Sequence, residues 1–368
     1  MGTTKNFYFK TIILVFFFIL NCQLLARPVE TFYGVIEVDE PVVLELIDSR
    51  PMQRLKAVHQ YGISYYTTHR EEFTRYDHSL GVLAILRMQK VSLEEQIAGL
   101  LHDVSHTVFS HVGDYVFNQK KHQKGYQDDI HAWFLEESGI GKILKKHDFS
   151  IAQVLPKSEN FKALEQPLPN LCADRIDYNL QGAFHRGFLT KKEVLEIVKD
   201  LIFDGEKWIA TKPELMVKMV RFSLHMTKNC WGSPTNFVMS SWFSEVIRRA
   251  VQLGKITEDD IHFGLDHVVW RKIRQLKDPL IQNRFRKIFN AKHYFALVDP
   301  KEADLHPKMK FRGVDPWIKK EGQVHRLTSL DEKVKEEFHK IQEEMAKGWP
   351  IKIKPDRKSI QIKENLAL

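Results

Sequence analysis

Four side chains of metal-ligand type, His78, the adjacent pair His102-Asp103, and Asp174, constrain this 368-residue chain more than any other feature. Two neutral imidazoles and two carboxylates can hold a first-row divalent ion and leave coordination positions open, which hydrolysis of a phosphate ester needs. The absence of cysteine from the set argues against a closed structural zinc site. The ligands come from three separate stretches, so the fold must bring them together; helices that each project one or two ligands inward do this. Neighbouring helical residues diverge by about 100°, which lets His102 and Asp103 straddle an ion above the helix surface. A His-Asp pair alone is usually solvated or caps a helix. Here the pair follows an apolar helix, where an unpartnered charge is costly, and His106 and His111 crowd the same stretch. A rival zinc pair at His102 and His106 would need glutamate directly after the first histidine, where Asp103 stands.

The text around the ligands is helical. His78, Val82 and Ile85 recur at spacings of four and three, widened by Leu83 and Leu86. Ser92 and Glu95 read as a capping box for a helix carrying Ile97, Leu100, Leu101 and Val104. Further helical patterns cover 130–137, 171–180, 191–202 and 213–253, the last interrupted at Gly232-Ser233-Pro234, and Thr257 with Asp260 opens another. Before them, Tyr33 to Val38 alternates like a short strand, and Pro41 fits the first turn of a helix to about Ile47. Near the C-terminus, Ser329 and Glu332 read as a capping box for the stripe Leu330, Val334, Phe338, Ile341 and Met345, which Gly348-Trp349-Pro350 stops. The segments 351–354 and 360–363 flank Pro355-Asp356-Arg357-Lys358 as a basic β-hairpin.

The N-terminus reads separately. Lys5 and Lys10 precede nine apolar residues, Ile12 to Leu20, and a short mixed stretch follows. This is a secretory signal pattern over 1–26, too short for a membrane span, and it leaves no transmembrane segment in the mature chain. It predicts an exported protein, periplasmic or secreted; Cys22 offers a lipid attachment point, although Asn21 before it is unusual for one. The alternative is an uncleaved apolar start packed on the protein. The apolar fraction of 43% suffices for a globular core, and the net charge of +8 suits an anionic substrate. Cys172 and Cys230 make no disulfide framework and are expected free and buried. His59, His69, His122 and His147 have no evident partner and read as solvated.

Five stretches in order, 33–37, 53–60, Arg75-Tyr76-Asp77-His78-Ser79-Leu80-Gly81, His102 to His111, and Ala173-Asp174-Arg175-Ile176-Asp177-Tyr178, resemble the HD-domain phosphohydrolases. Within them the likeness is to the deoxynucleoside triphosphate triphosphohydrolase branch that includes the vertebrate SAM-and-HD-domain enzyme. It covers roughly residues 31–250, and no SAM domain is visible. The resemblance implies a mainly α fold, an HD-domain helical bundle with a few short strands and hairpins over 27–300. A C-terminal helix and basic hairpin extend it over 301–368. It implies that His78, His102, Asp103 and Asp174 hold a divalent metal ion (Mn, Fe, Ni, Mg or Zn). His106 would lie near the reacting phosphate, His111 would donate a proton or touch phosphate, Arg75, Arg175 and Tyr178 would hold the phosphate chain, and Gln60 would face sugar or base.

Two departures stand out. Members of the family usually carry a His-Glu pair in the helix after the HD motif, where this chain has Gln127-Asp128-Asp129-Ile130-His131. The catalytic histidine is therefore either missing at Gln127 or supplied by His131 one turn on. An acid usually follows the Asp-Tyr pair where Gly182 stands here. The expected function is hydrolysis of nucleotides, (deoxy)nucleoside triphosphates foremost, by metal-activated water. The alternatives are a phosphomonoesterase or phosphodiesterase of the same fold, or a nucleotide- or metal-binding protein without turnover. Family members often assemble, so a homo-oligomer is expected. The basic hairpin could bind nucleic acid or simply guard a sheet edge with lysines. An exported enzyme would meet extracytoplasmic nucleotides rather than a cytosolic pool.

Overall fold

A computed structural model of the chain describes residues 26–68, 73–117, 125–156, 159 and 161–355. The expected signal segment, all but its last residue, lies outside the described residues, as do His69, His122 and the 360–363 arm of the expected hairpin.

The architecture is mainly α, and its centre is the helix Arg75–Met88. Thr74 opens that helix with a capping box: its hydroxyl accepts from the Asp77 N–H, and the Asp77 carboxylate accepts from the Thr74 N–H at 2.9 Å. The helix is buried almost all round from His78 to Leu86, as expected of a core helix rather than an amphipathic surface one. It packs against Leu93–Leu101 on one side and Ala173–His185 on the other. Those neighbours end or begin at the other ligand positions, so the packing that buries the central helix also assembles the ligands.

Three apolar clusters fill the molecule. One, including Val38, Leu46, Leu83, Leu100 and Phe134, lies under the N-terminal half. Another joins Ala173–His185 to Pro213–Asn229 and to Val314, Ile318 and Phe338. The last is built around Pro234–Gln252, with Val269, Ile273, Ile281 and Phe285. The strands are short. Arg27–Thr31 pairs antiparallel with Gly34–Val38. A four-stranded sheet runs Ile202–Phe203, Trp208–Ala210, Trp317–Lys320, Gln323–Arg326, with its middle pair parallel. Among the described residues no helix is long and apolar enough to cross a membrane.

Several local expectations change. Ser92 caps its helix, but the Glu95 carboxylate accepts instead from the N–H groups of Ala163 and Leu164 at 2.8 and 2.9 Å, tethering a distant segment. Asp331, not Ser329, caps the helix Glu332–Lys347 by accepting from Val334 N–H, because a separate turn, Leu327–Leu330, takes up Ser329. The segment Ile351–Ile353 pairs with Phe295–Leu297, which docks Ile351 in the third cluster and lets Trp349 donate to the Gly232 carbonyl, while its expected hairpin partner lies outside the described residues. His59 stacks on Tyr65 and His147 bonds Glu45 at 2.8 Å, so neither is simply solvated. Cys172 and Cys230 are both free, but only Cys172 is fully buried.

Candidate metal centre and adjoining cavity

His102 is the C-cap of Leu93–Leu101, and Asp103 follows in the turn. The pair therefore leaves the helix end instead of straddling an ion above its surface. His78 comes from the first turn of the central helix and Asp174 from the first turn of Ala173–His185. The structure brings all four together. His78 Nε2 lies 3.1 Å from His102 Nε2, 3.0 Å from Asp174 Oδ1 and 3.5 Å from Asp103 Oδ2. His102 Nε2 lies 3.5 Å from Asp174 and 3.6 Å from Asp103.

The fit to a cation follows from the other ring nitrogens. His78 Nδ1 is 2.6 Å from Asp177 Oδ2, and His102 Nδ1 is 2.7 Å from the Gly99 carbonyl. Both partners are acceptors, so both Nδ1 atoms carry the proton and both Nε2 atoms offer lone pairs to the same point. Two facing lone pairs among two carboxylates are poorly placed for one another and well placed for a divalent cation. Without a cation a proton takes its place. Burial pulls the His78 pKa down, but its bonds to Asp174 and Asp177 and the charges of Asp177 and Asp103 prevail and raise it to about 10. The two histidines in turn hold Asp174 well below the usual carboxylate range despite its burial.

Asp177 belongs to a buried network that the sequence reading quoted without giving it a role. It accepts from His78, from the Tyr33 hydroxyl at 2.8 Å and from Gln181 Nε2 at 2.9 Å. Gly81 makes the approach possible, since a Cβ there would overlap Asp177 Oδ1. The spacing Asp174–Asp177, one turn on a helix, was the available signal. The buried carboxylate of Asp266 was also missed. It accepts from the N–H groups of His59 and Phe109 at 3.0 and 2.7 Å. Burial raises its pKa to about 7.

The remaining sequence-predicted residues fall into two groups. Arg75, Arg175, His106 and His131 surround the ligands. Arg75 is buried, donates to Asp103 and Ser110, and leaves its other terminal nitrogen without a partner. Arg175 donates to the Asn170 carbonyl at 2.8 Å. His106 Nε2 is 3.2 Å from Asp103, and burial, aided by Arg75, lowers its pKa to about 3. His131 Nδ1 meets Ser105 Oγ at 2.8 Å, its Nε2 has no partner, and burial lowers its pKa to about 4. Gln127 reaches the same Ser105 hydroxyl at 2.7 Å.

Gln60, His111 and Tyr178 instead line a cavity of about 330 Å³. His111 is half exposed, holds Asp114 at 3.1 Å through Nδ1 and has its ring against His106. Gln60 Oε1 is buried without a hydrogen-bond partner. The ring of Tyr178 lies 6.4 Å from that of His78 and meets Trp231 edge-on at 5.7 Å, which joins the cavity to the metal centre. Lys310 and Arg312 also reach this wall, from the 301–368 region, and nothing in their local sequence pointed there.

A model of the HD domain matches residues 75–179, a span that encloses all four candidate ligands. The chain is similar to the uncharacterized protein YdhJ of Bacillus subtilis, with 31% identity over 88% of this chain and 98% of that protein. It is similar to the metal-dependent phosphohydrolase cns2 of Cordyceps militaris, with 31% identity over 68% of this chain and 73% of the relative. The fold resembles that of a phosphohydrolase from Bacteroides thetaiotaomicron, with a TM-score of 0.59 at 15% identity, over 83% of this chain and 94% of that one.

Proposed function

The chain belongs to the HD-domain family of metal-dependent phosphohydrolases, and on that premise we propose that its centre hydrolyses nucleotides, deoxynucleoside triphosphates foremost. His78, His102, Asp103 and Asp174 would hold the divalent ion, which when bound supplies Lewis acidity toward phosphoryl oxygen and an acidified water. The observation that carries the nucleotide reading is the cavity beside these ligands. Its walls combine aromatic rings of Tyr61, Tyr178 and Trp231 with the cations Lys310 and Arg312. Aromatic faces suit a base or sugar and cations suit phosphate, and phosphoryl transfer depends chiefly on positioning and charge neutralisation.

The other side chains have roles that follow from their placement. Arg75 fixes the Asp103 carboxylate. His106, kept neutral by burial, stands between that carboxylate and the cavity wall at His111. His111 is the imidazole of this group that reaches the cavity, where it can pass a proton to the leaving oxygen. Export, if the N-terminal signal acts, would direct this activity to extracytoplasmic nucleotides.

The test is the full chain with Mn²⁺, Mg²⁺, Fe²⁺ or Ni²⁺ against nucleoside tri-, di- and monophosphates, with products identified. Release of inorganic tripolyphosphate, lost in His102→Ala and Asp103→Ala with folding retained, is the expected result. Orthophosphate alone would replace the triphosphate reading with a phosphomonoesterase one. Tight nucleotide binding with no product above the metal-only control would make the protein a binder.

A further inference from the structure

The cavity is cationic well beyond the metal. Among its lining residues Arg186, Lys292, Lys310 and Arg312 face a single carboxylate, Asp114. Asp114 is already occupied by His111 and by the N–H of Tyr126 at 2.7 Å. None of the four cations forms an ion pair among the described residues. Lys292 and Lys310 are solvent-exposed and screened, so the repulsion an anionic occupant would relieve is chiefly that of the half-buried Arg186 and Arg312.

These cations are not all at one end. Arg312 lies near Tyr178, and Lys310 lies near Arg312 and Arg175, with the carboxylates of Asp128 and Glu165 also within range of its charge. Arg186 is elsewhere. It stands at the C-cap of the helix that carries Asp174 in its first turn, twelve residues further along the chain. Its guanidinium lies 4.8 Å over the ring of Tyr61. Gly182 allows this platform, because a Cβ there would crowd the Tyr61 hydroxyl and the Phe222 ring. Arg186 is half-buried, and its Nε is buried with no hydrogen-bond partner. A fork-shaped donor placed over an aromatic ring, in a cavity whose one lining carboxylate, Asp114, is already engaged, is prepared for an anion.

We propose that the cavity takes a nucleotide bearing a second anionic group, such as a sugar phosphate, remote from the phosphoryl group at the metal, and that Arg186 recognises it. This extension rests on the nucleotide reading above. A contiguous triphosphate chain would gather its charge at the metal end, whereas a nucleoside bisphosphate spreads it along the cavity.

The experiment is equilibrium binding to the manganese-loaded full chain of adenosine 5′-monophosphate, adenosine 3′-monophosphate and adenosine 3′,5′-bisphosphate. Charge-assisted hydrogen bonds predict that the bisphosphate binds at least about tenfold more tightly than the better monophosphate. Arg186→Gln should cut that preference to about threefold or less, and Arg186→Lys, which keeps the charge but not the fork, should restore part of it. Melting curves check that the variants fold; if Arg186→Gln does not, the wild-type preference and Arg186→Lys decide. Equal wild-type affinities, or a preference that survives Arg186→Gln, overturn the proposal alone. Failure of all three nucleotides to bind overturns the nucleotide reading with it.

Discussion

Asp177 shows how much of the centre depends on residues that touch no ion. Its carboxylate fixes the His78 proton on Nδ1, and three donors in turn hold the carboxylate. In Asp177→Asn the shape survives, but the anionic acceptor is lost and the amide nitrogen can turn toward the imidazole. Replacing such an outer partner typically costs 10–100-fold in metal affinity, so a Mn²⁺ titration of Asp177→Asn should show a loss of about that size with the fold intact. Unchanged affinity would remove Asp177 from the positioning role. Tyr33→Phe removes one of the three donors and should weaken binding less. The network was only half legible in the sequence. Asp177 stands in a quoted motif, but Tyr33 is 144 positions away and only the packed helices bring the two together.

At the scale of elements, the centre depends on close approach between backbones and polar groups. Gly81 lies on the buried face of the central helix, and the Asp177 carboxylate fills the space its side chain would need. Alanine normally favours a helix over glycine by about 1 kcal/mol, but here the added methyl would strike a carboxylate that three hydrogen bonds hold in place. Overpacking of this kind costs about 1–3 kcal/mol. Gly81→Ala should therefore lower the denaturant midpoint despite its better propensity and reduce Mn²⁺ affinity along with it; a stabilised variant would contradict this. The turn after the HD pair shows the same economy. Phe109 and Ser110 both adopt positive φ, at 59° and 55°. They are held there by Asp266 on the Phe109 N–H and by Ser110 Oγ between Arg75 and the His59 carbonyl. Gly62 makes room, since a Cβ on it would meet the Phe109 carbonyl. This strained turn places His106 and His111 ring to ring, between the ligands and the cavity.

For the molecule as a whole, burial of neutral imidazoles makes folding sensitive to acid. His131 has a folded pKa of about 4 against an ordinary value of 6.5. The unfolded chain therefore takes up this proton first as pH falls. The stability is fully present above about pH 6.5 and is lost progressively toward pH 4. At pH 5 the linkage amounts to about 2 kcal/mol. Urea denaturation of wild type and His131→Gln at pH 7 and pH 5 should show a pH-dependent loss smaller by about that amount in the variant, the other titrating groups cancelling in the comparison. Equal losses would mean that His131 is not held neutral by the fold.

The helical class, the central and flanking helices, the Ser92 cap and the four candidate ligands could be read from the chain, because hydrophobic periodicity, capping residues and the chemistry of donors are local properties of sequence. The structure altered what depends on competition between distant partners. Glu95 leaves its cap for the N–H groups of Ala163 and Leu164, Ile351–Ile353 pairs with Phe295–Leu297, and Lys310, Arg312 and Arg186 meet around one cavity. Such contacts form only after the three apolar clusters have closed, when burial sets which polar groups must find a partner and which charges are left facing a shared space.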